Sequence, residues 1–418
     1  MDKKMANIRE IAERAKAASL ALRSLPGEKR AAALNCMAEK LLEVKDELLL
    51  ANAEDIASAG DLPEAFVHRL RITEKVFKYM LNRLREAAAL PDPVGRVLQG
   101  RTMPSGLQVK KIAIPIGVVA MIYEARPNVT TDAAAVAIKS GNAVILRGGS
   151  ESIRSNKVLA SAMRSAAVEH GLPEDTVQLI ESTSHEDVNE LLGMTGLIDL
   201  VIPRGGKSLI KAVSENSKIP VLKHYDGICH QYIAEDADLE MSKNLILNSK
   251  CQRVEVCNAL ETLLIDAKAV SRVLPGVAET LIQNGVELRG CPECMKLYPE
   301  LFKAAEESDW DTEYLAPILS IKIVSGIEEA VNHISLHGSG HTDGIITNSL
   351  VYAQYFIDNV DSASVLVNAS TRLSGGGDYG MGAVVGISTD KLHARGPVGP
   401  EELCSTKWVA IGNGTLRN

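Results

Sequence analysis

Apolar positions keep a helical rhythm in the first part of the chain and then gather into short dense runs separated by helical stretches. From residue 5 to about 58, Ile8, Ile11, Ala12 and Ala15 recur at helical spacing, and Leu41, Leu42, Leu48 and Leu49 continue the pattern, which predicts a helical opening layer. Leu90-Pro-Asp-Pro-Val-Gly95 breaks the rhythm. Between Arg96 and Ile116 two strand-like runs, VLQGRTM and LQVKKIAI, flank Pro104-Ser-Gly106 and predict a hairpin. From Gly117 onward the runs VVAMIYEA, AVILRG, TVQLIE, DLVIP and PVLKHY alternate with the helical stretches TTDAAAVAIKSG, IRSNKVLASAMRSAAVEHG, HEDVNELLG and GKSLIKAVSENS. That alternation predicts right-handed βαβ units, hence a parallel sheet flanked by helices. Over residues 227 to 390 a second mixture follows: ICHQYIA, NALETLLID, APILSIKIV, GIITN, ASVLVNA and AVVGIST, with a helical stretch near Ala267 to Gly285 that Pro275 is placed to interrupt. It predicts a second α/β domain, with the chemistry expected in a cleft facing the first. The closing TKWVAIGNG reads as a strand returning to the hairpin.

A chain of 418 residues exceeds what one growing core accommodates, so two or more domains are expected. With aromatic residues at 4%, the core must be mostly aliphatic. The opening MDKKMANIREIAERAKAA is charged throughout and has no apolar h-region, and no later run approaches a membrane span, which predicts a cytoplasmic protein without membrane contact. Seven cysteines, an odd number, suit free thiols in a reducing compartment. The net charge of -8 comes with no basic block, which argues against nucleic acid and for a small-molecule substrate.

Several residues could carry chemistry. Cys257 precedes an apolar run read as helical, which would place it at a helix N-terminus where thiolates are favoured. Its local sequence alone suits a small buried hydrophobe better. Asn128, just past the first strand of the sheet, could donate to an oxyanion or cap the following helix, and the cap is the commoner use. Gly205-Gly206-Lys207 follows a strand and opens a helix, offering backbone N–H groups to a phosphate, although paired glycines in such turns are common. Arg147 ends the strand AVILR, where a guanidinium suits the 2′-phosphate of NADP; equally, it could pair with Glu151. The turn EARPNVTT lacks the glycine fingerprint of the dinucleotide fold. Cys291-Pro-Glu-Cys294 stands alone in a loop read as polar, and His337 and His341 lie in a glycine loop, so no metal is expected. Gly375-Gly-Gly-Asp-Tyr-Gly-Met-Gly382 matches a nucleotide loop only by chance spacing.

Taken together, YEARPNVTTDAAAVAIKSGNAVILRGGSES, VIPRGG, DGICH with EDADLE, VCNALETLL, HGSGHTDGI and YGMGAVVGISTDKLHARGP resemble, in order and over nearly the whole chain, the blocks of the γ-glutamyl phosphate reductase family. That resemblance implies an aldehyde dehydrogenase-like α/β fold. A Rossmann-like parallel-sheet cofactor domain would span 1–95 and 114–226, a catalytic domain 227–390, and a small β oligomerisation element 96–113 and 398–418. It implies Cys257 as nucleophile, Asn128 as oxyanion donor, and Arg147, Gly205, Gly206 and Glu313 as contacts of NADPH/NADP. Glu313, in DTEYLAP, is similar to the glutamate that holds the nicotinamide ribose in aldehyde dehydrogenases. Arg126, His341, His393 and Arg395 are candidates for the substrate's charged ends by charge and location only. Where hydrolytic aldehyde dehydrogenases carry a glutamate base, His224 aligns here, which suits phosphate rather than water as acyl partner.

The implied reaction is NADPH-dependent reduction of L-glutamyl 5-phosphate through a Cys257 thioester, in proline biosynthesis, by a homo-oligomer that could associate with glutamate 5-kinase. A CoA-acylating or hydrolytic aldehyde dehydrogenase is one alternative, against which the missing glutamate and the LHARGP and HGSGHTDGI blocks argue. A non-catalytic nucleotide-binding protein of this fold is another, against which the joint presence of Cys257, Asn128 and Glu313 argues.

Overall fold

A computed structural model describes residues 7–60, 64–223 and 226–417. The chain divides into two compact units, one of residues 1–223, 380–386 and 392–418, the other of residues 224–379 and 387–391.

The first unit opens with helices α1 (Ile8–Leu22), α2 (Gly27–Glu43), α3 (Lys45–Ser58), α4 (Glu64–Leu70) and α5 (Glu74–Ala89), followed by the antiparallel strands β1 (Val97–Thr102) and β2 (Gln108–Pro115). The alternating segment then gives β3 (Val118–Tyr123), α6 (Asn128–Lys139), β4 (Ala143–Gly148), α7 (Ile153–Glu169), β5 (Val177–Leu179), α8 (His185–Leu192), β6 (Leu200–Arg204) and α9 (Lys207–Asn216). Its four strands form a parallel sheet in the order β5-β4-β3-β6. Of PVLKHY, read as a further strand, residues 224 and 225 lie outside the described residues, and the described ones contribute a single bridge from Val221 to Val201. Side chains alternate across a strand, and the two faces feed two cores. Val119, Met121, Val144 and Leu146 pack under α2, α5, α6 and α7. Val118, Ala120, Ile122 and Ile145 pack under Ile8, Ile11, Ala12 and Ala15 of α1. Each fully buried aliphatic side chain stabilises the unit by roughly 1.5–3 kcal/mol. The C-terminal strand Cys404–Ile411 pairs antiparallel with β2, completing a three-stranded sheet.

The second unit contains β7 (Cys229–Ile233), α10 (Leu239–Cys251), β8 (Leu260–Asp266), α11 (Val270–Gln283), β9 (Glu287–Gly290), α12 (Pro292–Leu297), β10 (Lys303–Ala304), β11 (Ile318–Val324), α13 (Ile327–His337), β12 (Thr342–Ile346), α14 (Leu350–Asn359) and β13 (Ser364–Val367). These seven strands make one parallel sheet, β10-β9-β11-β8-β7-β12-β13.

Three readings change here. The run after Cys257 is strand β8, not a helix: it pairs with β7 on one side and β11 on the other, so all its residues are buried and no alternation marks it. Pro275 does not interrupt α11. The cost of an interior proline, about 3 kcal/mol, is offset by the burial of Val273, Leu274, Val277, Ala278 and Leu281. Cys291 and Cys294 lie in the apolar core rather than in a polar loop, with their sulfurs 3.6 Å apart as free thiols.

Buried titratable groups punctuate this second core. Lys250 and Glu261, both almost fully buried, pair at 2.6 Å. Burial holds the His333 imidazole down at about 2, aided by His230, Lys322 and His337 around it. It holds His341 down at about 4. Both histidines are therefore neutral in the folded chain at neutral pH. Since the unfolded chain binds these protons first, each histidine costs stability as pH falls below about 6.5, by up to about 1.4 kcal/mol per pH unit until its folded value is reached. In His333→Gln that loss should be absent. Its unfolding free energy relative to the parent should therefore rise by about that amount per unit between pH 6.5 and 4 in denaturant titrations. A pH-independent difference would show that His333 is not held neutral by the fold.

Candidate active site

In the first unit, β3 ends at Tyr123 and the chain turns through residues 124–127 into α6. Ala125 adopts φ 35°, a left-handed conformation unfavourable for a residue with a Cβ. Its N–H donates to Glu151 at 2.5 Å, which holds the turn. Asn128 is the first residue of α6, and Pro127 occupies the cap position with no side-chain cap. The Asn128 amide donates instead to Asp132 Oδ2 at 3.1 Å. Asp132 is 6% exposed, and burial raises its carboxyl to about 7 against the opposing pull of Asn128, Arg83 and Arg204. Arg126 is half-buried in the same turn.

Beyond the C-terminal ends of β3 and β4 lies a cleft of about 420 Å³, lined by Tyr123, Glu124, Arg147, Glu151, Thr183 and Leu209 among others. Arg147, 8% exposed, donates through Nη2 to Thr183 O at 2.8 Å and to Ser184 O at 3.3 Å. Its Nε is buried without a hydrogen-bond partner. Gly205 leads into α9, and a side chain there would run into Leu209 and the Glu124 carboxylate. Gly206 caps α9, and its N–H donates to Glu124 Oε2 at 2.8 Å, so the anion at this helix N-terminus is the chain's own. The volume and the partnerless guanidinium N–H fit a nucleotide, whereas the α9 terminus is already taken by Glu124.

In the second unit, Cys257 lies half-buried in the turn between α10 and β8. A Cβ at Gly227 would occupy the position of the Cys257 carbonyl oxygen, so only glycine lets the two backbones approach this closely. Cys229 Sγ donates to that carbonyl oxygen at 3.2 Å. Gly227 N donates to Glu313 Oε1 at 2.9 Å, and Ile228 N to Ser339 Oγ at 3.0 Å. The guanidinium of Arg372 is fixed by Asn258 Oδ1 and by Gln252 Oε1, the latter at 2.9 Å, within electrostatic reach of the Cys257 thiol. A fixed cation there favours the thiolate.

These arrangements have clear relatives. The model of the aldehyde dehydrogenase family matches residues 1–288. γ-Glutamyl phosphate reductase of Caldanaerobacter subterraneus subsp. tengcongensis is 48% identical over 408 residues, 97% of this chain and 98% of that protein. The crystal structure of γ-glutamyl phosphate reductase from Thermotoga maritima superposes with a TM-score of 0.96 at 40% identity, covering 99% of this chain and 100% of that one. That from Saccharomyces cerevisiae gives a TM-score of 0.56 at 32% identity over 99% of each chain. The chain belongs to the γ-glutamyl phosphate reductase family, a branch of the aldehyde dehydrogenases.

Members of the aldehyde dehydrogenase family use nicotinamide cofactors, and no helix among the described residues is long and apolar enough to cross a membrane. Of the residues singled out in the sequence, Asn128, Arg126, Arg147, Gly205 and Gly206 share the first unit, while Cys257, Glu313 and His341 share the second. His341 is fully buried, with Nδ1 2.8 Å from Thr342 Oγ1 and 3.8 Å from Cys229 Sγ. His337 instead meets Asp311 at 2.9 Å. His393 is exposed, with Nε2 3.1 Å from Glu402 O, and Arg395 is half-buried nearby in sequence. His224 lies outside the described residues. Among the described residues, Cys36, Glu169 and His170 bring three possible metal-ligand atoms within 4.8 Å of one another, but Lys40 Nζ lies 3.5 Å from Glu169, an ammonium already placed beside the carboxylate. Sequence reasoning missed Gly227, Cys229, Asp132 and Arg372. Gly227 and Cys229 carried a signal as members of DGICH, and Asp132 as the residue one helical turn beyond Asn128; Arg372 acquires meaning only through partners remote in the chain.

Arg372→Gln should slow alkylation of Cys257 by iodoacetamide at neutral pH about tenfold. Peptide mass spectrometry reads the rate site by site. An unchanged rate would remove Arg372 from the thiolate's environment.

Proposed function

We propose that this chain reduces L-glutamyl 5-phosphate to L-glutamate 5-semialdehyde and phosphate, using NADPH, as a step of proline biosynthesis. The observation that carries the reading is Cys257, half-exposed in a turn pinned by Gly227 and Cys229 with the Arg372 guanidinium beside it, in a chain 48% identical to a γ-glutamyl phosphate reductase.

An acyl phosphate is an activated acid, so a thiolate displaces its phosphate without strong acid assistance. The Cys257 sulfur attacks the δ-carbonyl, the Asn128 amide and the Cys257 N–H stabilise the tetrahedral oxyanion, and phosphate leaves a thioester on Cys257. The cofactor, when bound, supplies a hydride to the carbonyl carbon. Collapse of the resulting thiohemiacetal returns the thiolate and frees the aldehyde. Arg147 and the Gly205-Gly206 turn would hold the adenosine half of the cofactor and Glu313 the nicotinamide ribose, with Arg147 favouring the 2′-phosphate of NADPH. Because phosphate is the acyl partner, no base is needed to activate water. Arg126, His341, His393 and Arg395 are proposed around the substrate. Exposed Val97, Leu98, Trp408 and Ile411 on the three-stranded sheet support self-association through that element. The lability of an acyl phosphate supports handover from glutamate 5-kinase in the cytoplasm.

The purified chain, given glutamate 5-semialdehyde and NADP⁺, should reduce NADP⁺ only when inorganic phosphate is present. Turnover should vanish in Cys257→Ala, and kcat should fall about 100- to 1000-fold in Asn128→Ala. Phosphate-independent turnover would favour a hydrolytic dehydrogenase, and dependence on CoA an acylating one. Arg147→Ala should raise KM for NADP⁺ about tenfold or more while leaving KM for NAD⁺ nearly unchanged; equal effects on both would remove Arg147 from 2′-phosphate recognition.

A further inference from the structure

Asp132 lies one helical turn beyond Asn128, on the same face of α6. One of its carboxylate oxygens accepts from the Asn128 amide at 3.1 Å, while the other, Oδ1, is buried without a hydrogen-bond partner. A buried carboxylate oxygen left unpaired is costly. Helix α5 packs against α6 and brings Tyr79 and Arg83 to this place. The Arg83 guanidinium stacks 4.9 Å from the centre of the Tyr79 ring and donates to Gly382 O at 2.9 Å and Glu86 Oε2 at 2.7 Å, leaving its own Nε buried and unpartnered. Arg204, at the end of β6, packs its guanidinium against Gly386, where a Cβ would come within 3.0 Å of Nη1. Both guanidiniums act on Asp132. The glycine-rich segment 380–386 thus lies against two cations, and both of them act on an acid that still has an acceptor to offer and that holds the amide assigned to the oxyanion.

We propose that Asp132, Arg83 and Arg204 form the subsite for an α-amino acid head group, with Asp132 Oδ1 receiving the substrate ammonium and the two guanidiniums facing its α-carboxylate. The assignment rests on the reading of the substrate as a glutamyl phosphate. Charge and reach agree with it. The cluster offers a zwitterion one carboxyl, whose ionised form an incoming ammonium would favour, and two cations, one of which is balanced by Glu86. In the glutamyl chain four bonds of about 1.5 Å separate the reacting carbonyl carbon from the α-nitrogen, a reach of roughly 5 Å. A carboxylate that holds the oxyanion amide with one oxygen therefore has its other oxygen at a suitable distance for the ammonium. Within that segment, Gly386 is then explained by its packing against Arg204.

The test compares two aldehydes in the phosphate-dependent reverse reaction with NADP⁺: glutamate 5-semialdehyde, and 5-oxopentanoate, the same chain without its amino group. Asp132→Asn keeps an oxygen for Asn128 but no charge for an ammonium. It should lower kcat/KM for glutamate 5-semialdehyde about 100-fold and change that for 5-oxopentanoate less than about threefold. Cyclisation of the semialdehyde is common to parent and variant and cancels in the ratio. Equal losses on both aldehydes would mean that Asp132 acts only through Asn128 and would overturn the subsite, as would no loss on either. If Asp132→Asn fails to fold, Arg204→Gln carries the test, and it should raise KM selectively for aldehydes bearing the α-carboxylate over butanal; an equal effect on both overturns the assignment. Parent enzyme inert toward both aldehydes refutes the functional reading itself, and that result is obtained before any variant is made.

Discussion

The approach of two backbones at Gly227 and Cys257 is the constraint on which the second unit's site depends. Without a side chain at 227, the carbonyl of Cys257 can sit where a Cβ would otherwise be. The short segment 227–229 then ties three distant parts of the chain together, at Cys257, Glu313 and Ser339. A nucleophile held this way has little orientational freedom left to lose when it attacks. Each neighbour is useful only because the others are in place, as expected of a hydrogen-bonded network in a low-dielectric interior.

Charge placement reinforces that arrangement. The buried Lys250–Glu261 pair gives the Glu261 carboxylate a second task, since its other oxygen accepts from Leu315 N at 3.2 Å. Leu315 takes φ 51°, a left-handed backbone in a residue that disfavours it. The pair therefore helps to hold a strained turn two residues from Glu313. Burial pushes the Glu261 carboxyl up to about 7, against the attraction of Lys250. Such a pair contributes little net stability; its consequence here is geometric. His333 and His341, kept neutral by burial, add no charge to the second unit's core.

The first unit applies similar means to a different end. Strain at Ala125, anchored by Glu151, sets the turn from which Asn128 emerges. The amide is then oriented by Asp132 rather than used as a helix cap. Glu124 occupies the N-terminus of α9 and Arg147 is anchored on Thr183, so the cleft beyond β3 and β4 is bordered by groups of both signs. The turn EARPNVTT after β3, which lacks the glycine fingerprint, is held instead by the Ala125–Glu151 hydrogen bond and leads directly into the Asn128–Asp132 pair.

The parallel architecture was legible in the chain because short β-branched runs alternating with helical stretches allow few other arrangements. The sequence by itself also determined the family, since YEARPNVTT, VCNALETLL and HGSGHTDGI are long, ordered blocks, and it singled out Cys257 and Asn128. Tertiary structure decided what local pattern leaves ambiguous. Whether LETLLID is helix or strand depends on β7 and β11, which flank it and bury both faces. Whether Pro275 ends a helix depends on the core that α11 covers. Cys291 and Cys294 look polar beside Pro and Glu, yet neighbours remote in the chain enclose them. Arg372 was invisible for the same reason, as were Arg83 and Arg204 as neighbours of Asp132. Their roles arise from which partners lie within hydrogen-bonding or electrostatic reach, and those distances exist only once the chain has folded.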